Sequence, residues 1–152
     1  MKNDDNAAAG ATCMTDIISK AYAHAKREYP YECCGILLGK SVQGNETVIT
    51  DYVPADNENL IGKRTKHFYI DPLKFYEKEK KYSEQGLDII GIVHSHPDAE
   101  ARPSSEDEKN MIPGLLYLII EVRKGESTGH RFWQKDRTTM NVSEVLKSFE
   151  KF

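Results

Sequence analysis

No stretch of this sequence approaches the roughly 20 apolar residues that a membrane-crossing helix needs. No long run of one charge stands out either, and the formal net charge is −3. The densest cationic patch, KEKKY at 78–82, is broken by Glu79 and flanked by Glu77 and Glu84, and it reads as a solvated helix face. Neither nucleic acid nor an anionic membrane is therefore an expected partner. Only three cysteines occur, Cys13, Cys33 and Cys34, two of them adjacent. Such a set makes no disulfide framework, and a reducing cytoplasm is the expected setting. The spacing of a phosphate-binding loop is missing from GILLGK at 35–40, and there are no internal repeats or low-complexity segments.

The opening MKNDDNAAAGATC carries acid and lacks a continuous apolar core, so it does not read as a signal peptide. Cys13 is not preceded by the hydrophobic segment that a lipoprotein signal needs. Residues 1–12 are expected to form a flexible tail and residues 13–152 a single domain.

What is present is the composition of an ordinary folded domain. The 152 residues are 39% hydrophobic and 30% charged, enough chain to bury a core without covalent staples. Ile17, Ile18, Ala21, Tyr22 and Ala25 recur at helical spacing across 15–28, with Lys20, His24 and Lys26 on other faces, and Pro30 stops that helix. CCGILLGK and ETVITDYVPA read as neighbouring strands joined at QGN, 43–45. The polar stretch ADNENLIGKRT is expected to be a mobile loop, and HFYI at 67–70 a brief strand. Asp71 and Pro72 supply the cap and first turn of a helix that reaches about residue 85 and closes at Gly86. LDIIGIVH reads as a strand, and SHPDAEARPSSEDE as a loop whose Ser104 and Asp107 mark a helix start. LLYLIIEV and HRFWQK form two further strands, and NVSEVLKSFEKF at 141–152 reads as an amphipathic helix. The close spacing of strands favours hairpins and predicts an α+β fold, with a mixed, mainly antiparallel sheet flanked by helices.

His94 and His96 close an apolar strand, where a buried imidazole costs free energy unless it is hydrogen-bonded or ligated. Two apart on an extended chain, they point to one face and can meet one ion. Two readings are open for the pair: half of a metal site, or two satisfied histidines. Asp107 would complete two imidazoles and a carboxylate, a set that leaves the fourth position of a catalytic zinc ion to water. A plain capping box between Ser104 and Asp107 is the competing reading. Ser95 must face away from the histidines and is assigned a supporting role. Cys33 and Cys34 point to opposite faces of their strand and are expected to pack in the core. His67 and His130 stand isolated, His24 is expected to face solvent, and at least one of Phe132 and Trp133 is expected in the core.

HSHPDAEARPSSED (94–107) resembles, at every fixed position, the His-x-His, seven residues, Ser-x-x-Asp pattern of the JAMM (MPN+) metalloproteases. Upstream, PYECCGILLG resembles that family's Pro-x-Glu-x-Cys-Gly-x-Leu-x-Gly segment through Glu32, Cys34, Gly35 and Gly39. The resemblance runs from the first helix to the RFW strand, and the short form looks like the compact bacterial branch. It implies an MPN/JAB-like fold of cytidine-deaminase-like architecture. It also implies zinc (Zn2+) held by His94, His96 and Asp107, with Glu32 and Ser104 as catalytic residues, base and oxyanion donor. The implied activity is that of a metallopeptidase or isopeptidase cutting the amide bond at the C-terminal glycine of a ubiquitin-like sulfur-carrier protein (ThiS/MoaD-like) or a related peptide. An extended tail of that kind suits addition to a sheet edge. The loop 57–65 is expected to form a flap, with Asn57 contacting substrate. A non-catalytic MPN-type scaffold would be expected to lose one or more of the four residues Glu32, His94, His96 and Asp107. A RadC-like protein would be expected to carry Ser-Gly after the His-Pro and no upstream glutamate. Asp98, Ala99 and Glu32 speak against the latter, and the intact set against the former.

Overall fold

The computed structural model describes residues 13–42, 46–59 and 61–146. Its centre is a six-stranded sheet in the order β2-β1-β3-β4-β5-β6. The strands are β1 (Cys34–Val42), β2 (Glu46–Ala55), β3 (Asp88–Pro97), β4 (Leu116–Arg123), β5 (Glu126–Lys135) and β6 (Val142–Val145). Only β3 and β4 run parallel, and every other neighbouring pair is antiparallel. The mixed, mainly antiparallel sheet expected from the sequence is thus the one observed.

Helix α1 (Met14–Glu28) covers one face of the sheet, and α2 (Pro72–Ser83) with the short α3 (Ser105–Asn110) lies over the other. Strand β3 shows how one element serves both layers. Val93 packs with Ile17, Ala21 and Ala25 of α1, whereas Ile92 belongs to the opposite cluster with Met111, Tyr117 and Ile119. Burying one side chain such as Ile17 contributes about 1.5–3 kcal/mol. The Asp71 cap is realised, its Oδ1 accepting from Leu73 N at 2.9 Å, and Gly86 follows α2 at φ +79°. Cys33 and Cys34 are both free thiols buried in the core, as is the Trp133 ring.

Three expectations fail for identifiable reasons. His24 does not face solvent: it lies one helical step from Ala21 on the buried stripe, is 6% exposed, and sets Nδ1 2.6 Å from the Tyr52 hydroxyl. HFYI forms no strand, because its backbone is satisfied by a loop. Tyr69 O accepts from Glu58 N, and Asn57 bonds both His67 O and Tyr69 N. The last segment is a strand where a helix was expected. Val142 and Val145 are three apart, which shares a face in a helix but divides faces in a strand. Here Val142 packs on the α2/α3 side and Val145 on the α1 side, so both layers gain from pairing with the β5 edge. The expected tail at 1–12, the turn at 43–45 and residues 147–152 of the expected helix lie outside the described residues.

Candidate metal centre

Strand β3 is clamped on both sides where the histidines sit. His94 pairs with Cys34 of β1 and with Ile119 of β4, and His96 pairs with Glu121. One residue beyond the β1 ladder, Ser95 N donates to Cys33 O at 3.1 Å, and Cys33 N donates to Ser95 Oγ at 2.8 Å. The supporting role expected of Ser95 therefore has a geometry: it ties β3 to the segment carrying Glu32. That same pairing, carried one residue further, would set Glu32 opposite His96. Glu32 N donates to Arg64 O, and Glu32 O accepts from the Asn57 amide at 3.0 Å.

Asp107 arrives from the other direction, on the first turn of α3. Ser104 N donates to Asp107 Oδ2 at 2.9 Å and Asp107 N donates to Ser104 Oγ at 3.0 Å, a capping box that fixes the carboxylate's direction. The capping reading is realised, and the same geometry is compatible with the metal reading, because Oδ2 also faces both rings. His94 Nε2 and His96 Nε2 are 3.2 Å apart, and Asp107 Oδ2 lies 3.2 Å from the first and 3.0 Å from the second.

These atoms fit a cation better than they fit each other. The Nδ1 of His96 is 2.8 Å from Glu100 O, a carbonyl that can only accept, so the ring's proton sits there and Nε2 presents a lone pair. An ionised carboxylate has only lone pairs to offer in return. A tetrahedral ion with ligands about 2.0–2.1 Å away places them roughly 3.3 Å from one another, close to all three edges found here. Protonation states agree with that use. Burial pushes His94 below its ordinary value, towards the neutral ring. Burial alone would raise Asp107, but the adjoining His94 and His96 rings and the Ser104 amide hold it well below the usual carboxylate range.

Beside the triangle stands Glu32, 4% exposed, with Oε1 buried and without a hydrogen-bond partner among the described residues. Burial, reinforced by the nearby Asp107 and Glu106 carboxylates, pushes its pKa up to about 9. A cation held in the triangle would favour the ionised form of this carboxyl, the form able to accept a proton.

Asn57, expected to contact substrate, makes four hydrogen bonds within the protein. Its amide nitrogen donates to Glu32 O and His67 O, each at 3.0 Å, and its oxygen accepts from Asn59 N and Tyr69 N, each at 3.1 Å. It knots the loop to the Glu32 segment. Three participants carry no sequence signal of their own. Phe68 stacks on His94 with centroids 4.5 Å apart and planes 22° apart. Glu100 contributes only its carbonyl. His67 Nδ1 meets Glu106 Oε1 at 3.0 Å, joining the loop to α3. A cavity of about 500 Å³ opens next to His94 and Asp107.

Residues 14–136 match the sequence profile described as prokaryotic homologs of the JAB domain. Tail tip assembly protein K of Escherichia phage N15 is 36% identical over 110 residues, 72% of this chain, which spans only 40% of the phage protein's length. Desampylase of Haloferax volcanii is 30% identical over 127 residues, 83% of this chain and 86% of its own. CysO-cysteine peptidase of Mycobacterium tuberculosis is 28% identical over 110 residues, 71% and 70% of the two chains. Among solved structures, a protein from Desulfitobacterium hafniense superposes with TM-score 0.70 at 29% identity over 85% of each chain. A JAB1/MPN domain protein from Archaeoglobus fulgidus gives TM-score 0.50 at 18% identity over 85% of this chain and 86% of that one, a likeness of fold. The MPN/JAB-like architecture implied by the sequence resemblance is the one found.

Proposed function

This chain belongs to the family of prokaryotic homologs of the JAB domain, and from that membership we propose that it is a zinc-dependent metallopeptidase. Its reaction is hydrolysis of the amide bond at the C-terminal glycine of a ubiquitin-like carrier protein or a related peptide. The observation that carries the reading is the triangle of His94 Nε2, His96 Nε2 and Asp107 Oδ2 beside the buried Glu32 carboxyl. The relatives named desampylase and CysO-cysteine peptidase support conjugates of small carrier proteins as the substrate class.

Zinc at such a ligand set supplies Lewis acidity and a water whose pKa is lowered to about 7. The chain's own residues supply the rest. Glu32 takes a proton from the attacking water and delivers it to the leaving amine as the C–N bond breaks, so water is divided between the two products. The Ser104 oxygen is occupied as an acceptor from Asp107 N, but its hydroxyl hydrogen is not used by the cap. That hydrogen is available to donate to the oxyanion, so cap and oxyanion donor coexist on one hydroxyl. The Glu100 carbonyl and the Phe68 face fix the two imidazoles in orientation.

The test is to offer the purified protein a ThiS/MoaD-like carrier extended past its terminal glycine by a short peptide, and to read the products by mass spectrometry. Cleavage after the glycine is expected, lost on chelation, restored by zinc, and abolished in Glu32→Ala. Equal cleavage by wild type and Glu32→Ala would overturn the proposal.

A further inference from the structure

The cavity beside the triangle is larger and more apolar than a glycine tail requires. Its volume of about 500 Å³ lies in the range of sites that enclose whole ligand groups, roughly 300–1,000 Å³. Ile92 of β3 with Tyr117 and Ile119 of β4 make the floor, on the same sheet face as His94. Phe68, Phe75 and Met111 make the walls. Among the polar residues of the lining, Glu106 is already engaged by His67. His94 and Asp107 line the cavity as well as the triangle, so the two form one continuous space.

A scissile glycine has no side chain to place there. In an extended tail ending in two glycines, the first upstream side chain stands roughly 7–10 Å from the reacting carbonyl, at about 3.3 Å per residue. The residue on the amine side begins directly at the bond. We infer that this cavity is a specificity pocket for a large apolar side chain, aromatic or branched aliphatic, on the residue that follows the scissile glycine. The inference rests on the reading of the centre as an amide hydrolase and adds to it the class of leaving group. The substrates it selects are peptide or protein amines with Phe-like or Leu-like first residues, ahead of those with small or acidic ones.

The test uses the full chain loaded with zinc and carrier–Gly-X peptide fusions with X as Phe, Leu, Ala or Glu. Phe and Leu are expected to exceed Ala in kcat/KM by about tenfold to a hundredfold, the range a filled apolar pocket supplies. The same four residues placed immediately before the two glycines are expected to change little. Ile112 lies on the cavity lining and is 48% exposed, so Ile112→Lys is tolerated by the fold and is expected to reduce the Phe-over-Glu preference at least tenfold. Calorimetric binding of the released Phe-initiated peptide, measured also on Glu32→Gln, provides a readout independent of turnover. Side-chain-dependent binding with no cleavage of any fusion would sink the hydrolase reading and leave the pocket standing. Cleavage that ignores X, a preference at the upstream position instead, or peptide binding unaffected by Ile112→Lys would each overturn the pocket.

Discussion

Ser104 and Asp107 hold each other by two reciprocal hydrogen bonds, of 2.9 and 3.0 Å, while the same Asp107 oxygen faces both histidines. A helix cap is thereby made into a ligand-orienting device. Ser104→Ala is expected to cost about 0.5–2 kcal/mol of stability through the lost cap. It is also expected to lower kcat by about 10²–10³ if the hydroxyl donates to the oxyanion, with KM little changed. Ser104→Thr keeps both the acceptor oxygen and the donor hydrogen and should recover both losses. Denaturation midpoints and steady-state kinetics on the two variants separate the roles: a stability loss with kcat intact would confine Ser104 to capping.

The three-atom triangle predicts metal-linked stability. One zinc per chain is expected, and at a free concentration about 100 times Kd the folded state gains about 2.7 kcal/mol. His96→Ala removes one corner and should abolish the zinc-dependent rise in melting temperature; because the ring is buried at 8% exposure, any loss of baseline stability is read separately from the melting curve in chelator. Melting curves with and without chelator, together with metal analysis, measure both effects. Less than about half an equivalent of zinc after incubation, or an unchanged response in His96→Ala, would remove the basis for a zinc enzyme.

Much of this centre is legible in the sequence where short-range geometry decides it. The i, i+2 spacing of His94 and His96 places both rings on one face of any strand, and the Ser104–Asp107 spacing is a local cap signature. Glu32 is different: 62 residues separate it from His94, and only the motif resemblance draws the two together. Phe68 and Glu100 could not be read at all, since one contributes a ring face and the other a backbone carbonyl that every residue possesses. The fold shows the same division. Hairpin-connected strands are readable from period and turns, but whether 142–145 becomes helix or strand depends on a free edge of β5 that no local pattern reveals. For His24 the polarity of the side chain points to solvent, but its position one turn from Ala21 buries it.

That buried histidine gives the chain a pH-dependent stability. Burial lowers the His24 pKa from its ordinary 6.5, outweighing the nearby Glu28, which raises it. In the unfolded chain the ring still protonates around its ordinary value. Between the two pKa values the unfolded state therefore holds more protons, and stability falls as pH drops below about 6.5. Urea midpoints at pH 7.5 and 5.5 should show wild type losing more than His24→Gln, so that the gap between the two narrows in acid. A gap that stays constant would mean His24 does not titrate differently on folding.

Gly39 illustrates a glycine required by contact and not by backbone conformation. It follows the register shift between Leu38 and Gly39 in the β1–β2 ladder, where the two backbones approach closely. A Cβ there would overlap Val48 O and come within 2.6 Å of Ile90 Cδ1. The carbonyl belongs to the paired strand and cannot rotate away, so Gly39→Ala must shift β2 relative to β1. The expected cost is about 1–3 kcal/mol, as for other overpacked positions. Gly129 on β5 supplies the control, because a Cβ at that position meets nothing within 4 Å. Gly129→Ala is expected to be neutral, or to stabilise by about 0.4–1 kcal/mol through the less flexible unfolded chain. Denaturant unfolding of the two variants decides the matter, and equal midpoints would show that close strand approach is not what keeps glycine at position 39.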